Sequence, residues 1–231
     1  MNGTLLFLLV AAYFVGAIPF GVMIARAHGV DILKLGSGNP GATNVKRVIG
    51  SKAGYTVLAL DVLKGVLPAV LARSMIQDRV GVLDPQAVWL LIGFAAVLGH
   101  CLSPFLGFRG GKGIATSLGA GIAAAPFSAV PAFLVFLAVF GATHYVSLAS
   151  MLAIASAMLW IVVIPGQSWQ LLPAFAVLTA FAVYRHRANI RRLLDGTEAK
   201  SYFGENASTT ESDTDFGENA STTESDTEGD R

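Results

Sequence analysis

The chain has 231 residues, 54% of them hydrophobic and only 13% charged, with a formal net charge of +1. That balance is far too apolar for a water-soluble domain of average make-up, so an all-α integral membrane protein is expected. Cys101 is the single cysteine, which excludes an intrachain disulfide and leaves no Cys-based metal site; no cofactor and no nucleic-acid partner is expected.

The opening stretch MNGTLLFLLVAAYFVGAI has an apolar core without a basic region ahead of it, and it reads as a first spanning helix, not a cleaved signal. Crossing a hydrocarbon core of roughly 30 Å takes about 20 mostly apolar residues. Clear spans run from Leu5 to Ala25, Tyr55 to Met75, Ala87 to Leu106, Val146 to Ile164 and Leu171 to Tyr184. Residues 112–143 would measure roughly 45 Å as one straight helix, too long for one crossing. Pro126 and Pro131 interrupt that stretch and predict a pair of shorter, kinked or re-entrant helices.

Positive charge sets the number of crossings. Arg26, Lys34, Lys46, Arg47 and Lys52 follow the first span, and Arg185, Arg187, Arg191, Arg192 and Lys200 follow the last. Both segments belong in the cytoplasm. With the amino terminus outside and the carboxyl terminus inside, that demands an odd number, about seven helices. Residues 107–112 and 143–147 then share the cytoplasmic face, while Arg73 and Arg79 lie outside, offset by Asp78 and Asp84.

Residues 201–231 differ in kind. FGENASTTESDT occurs at 203–214 and again at 216–227, a 13-residue repeat, and this segment holds nine acids against one Arg, leaving residues 1–200 at +9. The chain thus divides into a membrane domain over 1–200 and an acidic tail over 201–231, expected to be disordered and without function. Asn206 and Asn219 begin glycosylation sequons that matter only on a secretory side.

Four polar clusters interrupt the apolar chain. GSGNPG at 36–41 matches the dinucleotide fingerprint and Asp61 follows at a suggestive distance, but Asp61 lies in a membrane span, so the match is spurious. The physics of such a loop still holds: Gly36, Gly38 and Gly41 let backbone N–H groups approach an anion, Ser37, Asn39, Thr43 and Asn44 add neutral donors, and Lys46 and Arg47 add charge. The competing reading is an interfacial turn before a snorkelling basic helix. GHCLSPFLGFRGGKGIATS at 99–117 departs from a nucleotide phosphate loop at Leu106 and Gly113, yet Arg109 and Lys112 flank Gly110 and Gly111 directly before a helix, a good site for a phosphate monoester or acyl phosphate. His100 is a packing residue or a site residue. In YRHRANIRRLLDGTE at 184–198 the basic cluster is what membrane orientation demands anyway, but His186 and Asn189 share a helical face and Glu198 invites an ion pair. THYVSLAS at 143–150 puts Ser147 and Ser150 near a boundary. Asp61 and Lys64, three apart inside a span, are read as a structural pair because an unpaired charge there is costly.

Together SGNPGATNVKR, GHCLSPFLGFRGGKGIAT and HRANIRRLLDGTE, with THYVSLAS and LDVLKG, closely resemble the acyl-phosphate-dependent glycerol-3-phosphate acyltransferases of bacterial membranes, the PlsY family. The resemblance covers about residues 1–200 and excludes the acidic tail; His144 stands where many relatives carry Arg or Lys. It implies a multi-pass enzyme of the bacterial cytoplasmic (inner) membrane, its site facing the cytoplasm, moving a fatty acyl group from acyl phosphate to the 1-hydroxyl of glycerol 3-phosphate in phospholipid biosynthesis. Lysophosphatidic acid and phosphate are the products, and membrane lipid is the surrounding partner. The implied substrate-binding set is Ser37, Asn39, Gly41, Thr43, Asn44 and Arg47, then His100, Gly110, Gly111, Lys112 and Gly113, then Ser147. Asn189 and His186 are the implied catalytic pair, with Glu198 supporting them. None of the four histidines is followed by Asp at the spacing of the H-x4-D acyltransferase dyad. The rival class is a transporter or channel for a phosphorylated solute, which would favour internal repeats and midplane charge.

Overall fold

The computed structural model describes residues 3–202, so the repeated acidic tail lies outside the described residues. Among them ten α-helices and one short 3₁₀ turn follow one another: α1 Gly3–Ala17, α2 Phe20–Ala27, α3 Ala42–Ile49, α4 Ser51–Met75, α5 Pro85–Cys101, the 3₁₀ turn Pro104–Leu106, α6 Ile114–Ala124, α7 Pro126–Thr143, α8 Val146–Val163, α9 Leu171–Arg185 and α10 Arg187–Leu194. The α1–α2 stretch, α4, α5 with its 3₁₀ turn, α7 and α8 are long and apolar enough to cross a membrane, while α6 with 11 residues and α9 with 15 are shorter apolar helices. At 1.5 Å per residue α6 reaches about 16 Å, roughly half of a hydrocarbon core. Phe7, Phe14, Leu67, Phe127, Leu134 and Val162 point outward, the surface a lipid-facing bundle presents and a soluble monomer avoids.

Three local outcomes refine the spans read from sequence. The first is two helices, not one: Pro19 has no N–H to continue the ladder, and the chain breaks at Ile18–Pro19 before α2. The carbonyl freed at Ile18 accepts from Lys64 Nζ at 3.0 Å, and the same ammonium lies 2.8 Å from Asp61 Oδ1, both side chains under 5% exposed. His100 Nδ1 stands 3.6 Å from that carboxylate. The long 112–143 stretch does divide in two, at Ala125–Pro126, where Pro126 occupies the first helical position that tolerates it. Pro131, expected to interrupt as well, lies inside α7 without ending it.

Close helix approach depends on glycine. On α4 a Cβ at Gly65 would lie 2.1 Å from the Thr116 carbonyl oxygen of α6, and one at Gly119 would lie 2.1 Å from the Val62 carbonyl oxygen. These reciprocal contacts bring two backbones together as small-residue interfaces in membranes do. Helix α5 is the central post: Val88, Ile92 and Ala96 pack toward α1 and α4, while Leu90, Val97 and Cys101 pack toward α8 and α9. Asp84 caps it, its Oδ1 accepting the Ala87 N–H at 2.9 Å ahead of Pro85.

Candidate active site

The bundle encloses a cavity of about 740 Å³ with two unlike halves. Its polar half is built from helix starts. Gly41, Ala42 and Thr43 open α3, Gly113, Ile114 and Ala115 open α6, Val146 and Ser147 open α8, and His186 is the cap residue of α10 with Asn189 in its first turn; all of these line the cavity. Each helix start leaves N–H groups without an intrahelical acceptor and carries roughly half a positive charge. Four of them meeting in one space favour a phosphate strongly. Arg47 and Lys112 add full charges, and none of the ion pairs among the described residues occupies Arg47.

The apolar half descends between α6, α7, α8 and α9, past Leu118, Phe133, Phe136, Ile154 and Phe175 to Ala157. From Ser147 at the mouth to Ala157 is about 15 Å of helix. A cavity that is cationic at one end and a hydrocarbon-lined slot at the other suits an amphiphile.

One hydrogen-bond chain organises the mouth. Lys112 Nζ donates to Asn189 Oδ1, Asn189 Nδ2 donates to Glu198 Oε1 at 2.6 Å, Ser147 Oγ donates to the same oxygen at 2.6 Å, and Arg192 Nε donates to Glu198 Oε2 at 2.8 Å. An ammonium only donates and a carboxylate only accepts, so the Asn189 amide has one possible orientation. Burial disfavours the ionised Glu198, but hydrogen bonds from Ser147, Asn189 and Arg192 outweigh it and hold the carboxyl below its usual range. Burial brings the Lys112 ammonium down to about 8, with Glu198 opposing the change and Arg192, Arg47 and Arg185 adding to it. Burial also brings His186 down to about 4, reinforced by Lys112, so its imidazole is neutral at pH 7. His186 Nδ1 lies 2.8 Å from the Ala182 carbonyl oxygen. A carbonyl only accepts, so Nδ1 carries the proton and Nε2 holds the free lone pair.

Most of the residues singled out from sequence gather here. Ser37, Asn39, Gly41, Thr43, Asn44, Arg47, His100, Lys112, Gly113, Ser147, His186, Asn189 and Glu198 all line the cavity, as does Asp61. Two of them turn their amides to the backbone: Asn44 accepts the Ser37 N–H at 2.9 Å and donates to the Leu35 carbonyl at 3.0 Å, and Asn39 Oδ1 accepts the Gly41 N–H at 2.9 Å. They shape the loop more than they face a ligand. Gly110 and Gly111 are off the wall. A Cβ at Gly111 would lie 2.1 Å from His100 Nε2, so these glycines press the loop onto the end of α5 and present Lys112. Lys64 is likewise behind the wall, held by Asp61.

The sequence offered no sign of two further features. Arg185 donates from Nη2 to the Gly110 and Gly111 carbonyls, each at 2.8 Å. Beyond α10 the chain doubles back: Gly196, at φ +70, allows the Thr197 N–H to reach the Arg192 carbonyl at 2.8 Å and the Gly196 N–H to reach that of Leu193, a Schellman closure. That reversal delivers Glu198 to Asn189. The returning strap then docks, with the Ser201 N–H on the His144 carbonyl at 2.9 Å, Tyr202 against the His144 ring and Lys46 Nζ on the Tyr202 carbonyl.

The glycerol-3-phosphate acyltransferase family profile matches residues 6–196. Over 196 residues the chain is 46% identical to a glycerol-3-phosphate acyltransferase of Aquifex aeolicus, covering 84% of this chain and 97% of that protein. It is 42% identical over 209 residues to glycerol-3-phosphate acyltransferase 1 of Deinococcus radiodurans, covering 90% of this chain and all of that protein. The fold matches crystal structures of PlsY, an integral membrane glycerol 3-phosphate acyltransferase, with TM-scores of 0.79 for its glycerol 3-phosphate form and 0.76 for its lysophosphatidic acid form; each is 45% identical and spans 87% of this chain and 96% of that one. The fold, the cationic mouth and these relatives agree, and the chain belongs to the glycerol-3-phosphate acyltransferase family of integral membrane proteins.

Proposed function

We propose that this protein transfers a fatty acyl group from an acyl phosphate to the 1-hydroxyl of glycerol 3-phosphate, releasing lysophosphatidic acid and inorganic phosphate. One observation carries the reading: a single cavity joins four helix starts, Lys112 and Arg47 to a slot of Phe, Ile and Ala side chains. The two substrates fit these halves. Both carry phosphate and one carries a hydrocarbon chain. A site for a phosphorylated solute alone has no use for the slot, which sets this reading above a transporter.

In the proposed reaction the glycerol 3-phosphate hydroxyl oxygen attacks the acyl carbonyl carbon, the bond from that carbon to the phosphate oxygen breaks, and phosphate departs with the bonding pair. Arg47, Lys112 and Ser37 hold the phosphates, the charge-assisted contacts being the strong ones. The Asn189 amide, fixed between Lys112 and Glu198, donates to the carbonyl oxygen as negative charge develops there. For the hydroxyl proton there are two acceptors, His186 Nε2 and a substrate phosphate oxygen. With His186 brought down to about 4 and phosphate monoesters releasing their second proton near pH ~6, phosphate is the stronger base. The departing phosphate takes the proton, and neutral His186 serves as a hydrogen-bonding wall. On the expected orientation this mouth opens to the cytoplasm across the bacterial inner membrane.

Detergent-purified protein given acyl phosphate and glycerol 3-phosphate is expected to form lysophosphatidic acid. Uptake of a phosphorylated solute into liposomes without acyl transfer would reverse the assignment.

A further inference from the structure

We propose that Arg185 is a positioning residue for this transfer: by clamping the carbonyls of Gly110 and Gly111 it fixes Lys112 against the helix that carries His186 and Asn189. The proposal rests on the acyl-transfer reading for its kinetic test and on geometry for its cause. A basic residue at the end of the last span is accounted for by membrane orientation alone, and such a residue extends toward headgroups and water. Arg185 does the opposite. It is partly buried and gives both hydrogens of one nitrogen, Nη2, to two consecutive carbonyl oxygens at 2.8 Å each.

The clamp completes a loop held on both edges. The N–H groups of Gly110 and Gly111 donate to the carbonyls of Cys101 and His100 at 3.0 and 3.2 Å. Their carbonyls are taken by Arg185, so every backbone polar group of this pair is committed within the protein. The two glycines are buried, and a Cβ at Gly110 would lie 1.9 Å from the His100 carbonyl oxygen, so the loop is pressed flat on its α5 side. Removing the guanidinium strands two buried carbonyls, and the loop must then open to hydrate them. Lys112 is the next residue, and its ammonium reaches Asn189. Arg185 is also the residue immediately before His186. It therefore ties the phosphate-binding loop to the terminal helix without touching the cavity, whose lining does not include it.

The same guanidinium supplies an electrostatic signature. The groups facing Lys112 are Glu198 beyond α10, Arg192 and Asn189 on α10, Arg47 on α3, His186, and Arg185 at the end of α9. Arg185 is one of the cations that, after burial, hold the ammonium down at about 8. Loss of its charge lets Lys112 keep its proton to higher pH.

Two variants of the full-length protein separate geometry from charge. Arg185→Gln loses the clamp and the charge; Arg185→Lys keeps the charge but replaces the planar fork with a point donor. In Arg185→Gln, kcat/KM is expected to fall roughly tenfold to a hundredfold, the cost of about two stranded acceptors, and its alkaline limb to move to higher pH. Arg185→Lys is expected to leave that limb in place and to recover part of the loss. Parent-like kcat/KM and an unmoved limb in both variants would overturn the proposal, as would losses in both that only track the folded fraction in thermal melts. If the parent transfers no acyl group, the function assignment falls and the clamp is read from inorganic phosphate binding by calorimetry. A Kd weakened roughly tenfold in Arg185→Gln, about one phosphate hydrogen bond, supports the clamp, and an unchanged Kd overturns it.

Discussion

Asn189 gives the most discriminating test of the mouth. It is 6% exposed and makes two side-chain hydrogen bonds, accepting from Lys112 and donating to Glu198 at 2.6 Å. Asn189→Ala removes both and the donor aimed at the reacting carbonyl. Loss of one oxyanion donor costs about 100- to 1000-fold in kcat. A donor acting mainly in the transition state leaves the Michaelis constant for glycerol 3-phosphate little changed. Asn189→Asp is the sharper perturbation. It has nearly the same shape, so packing survives, but a carboxylate has no N–H to give, and it would stand against Glu198 where an amide had bonded. Its kcat should fall at least as far as that of the alanine variant even though its Lys112 contact remains. Steady-state kinetics of detergent-purified protein, with folding checked by thermal melting, reads both. Retention of more than about half the activity in either variant, a difference of less than 1 kcal/mol in barrier, would refute the donor assignment and make Asn189 a purely structural link.

Other outcomes follow from the same geometry. Lys112→Ala should lower kcat/KM by roughly ten- to a hundredfold, one charge-assisted phosphate contact, while melting like the parent. Because Lys112 loses its proton near pH 8, kcat/KM of the parent should decline as pH rises through that value, and Lys112→Arg should abolish the decline. Burial holds His186 at about 4 against an ordinary 6.5, so between those values the unfolded chain binds a proton that the folded protein refuses. Stability should therefore fall, by about 3 kcal/mol in total, as pH drops from 6.5 to 4; His186→Gln should flatten this dependence in melts recorded across the window. Asp61→Ala leaves Lys64 as a buried unpaired charge and should destabilise the fold by about 3–5 kcal/mol, with Asp61→Leu/Lys64→Met recovering much of it by thermal melting.

The chemistry was legible because each polar cluster had no other reason to sit in so apolar a chain. Lys112, His186, Asn189 and Ser147 all reach one cavity, as their isolation in the sequence suggested. The division of 112–143 was legible from Pro126, since proline at a first helical position both ends one helix and starts the next. What stayed hidden needed three dimensions. Arg185 was masked by a second sufficient cause, the basic charge expected after any final cytoplasmic span. Asn44 looked like a ligand donor until the loop folded back and claimed its amide. The strap was invisible because its contacts join residues as distant as Lys46 and Tyr202. A signal for it exists in hindsight: Gly196, just past a basic helix and two residues before an acid, marks a reversing cap.

The donor is the central claim, and one measurement reaches it most directly: release of inorganic phosphate from acyl phosphate by the purified protein, followed with and without glycerol 3-phosphate. The account predicts that release depends on glycerol 3-phosphate and matches lysophosphatidic acid one for one, while an acyl thioester, lacking the phosphate that Lys112 and Arg47 hold, supports no comparable rate. Equal turnover with the thioester, or lysophosphatidic acid formed without phosphate release, would contradict it.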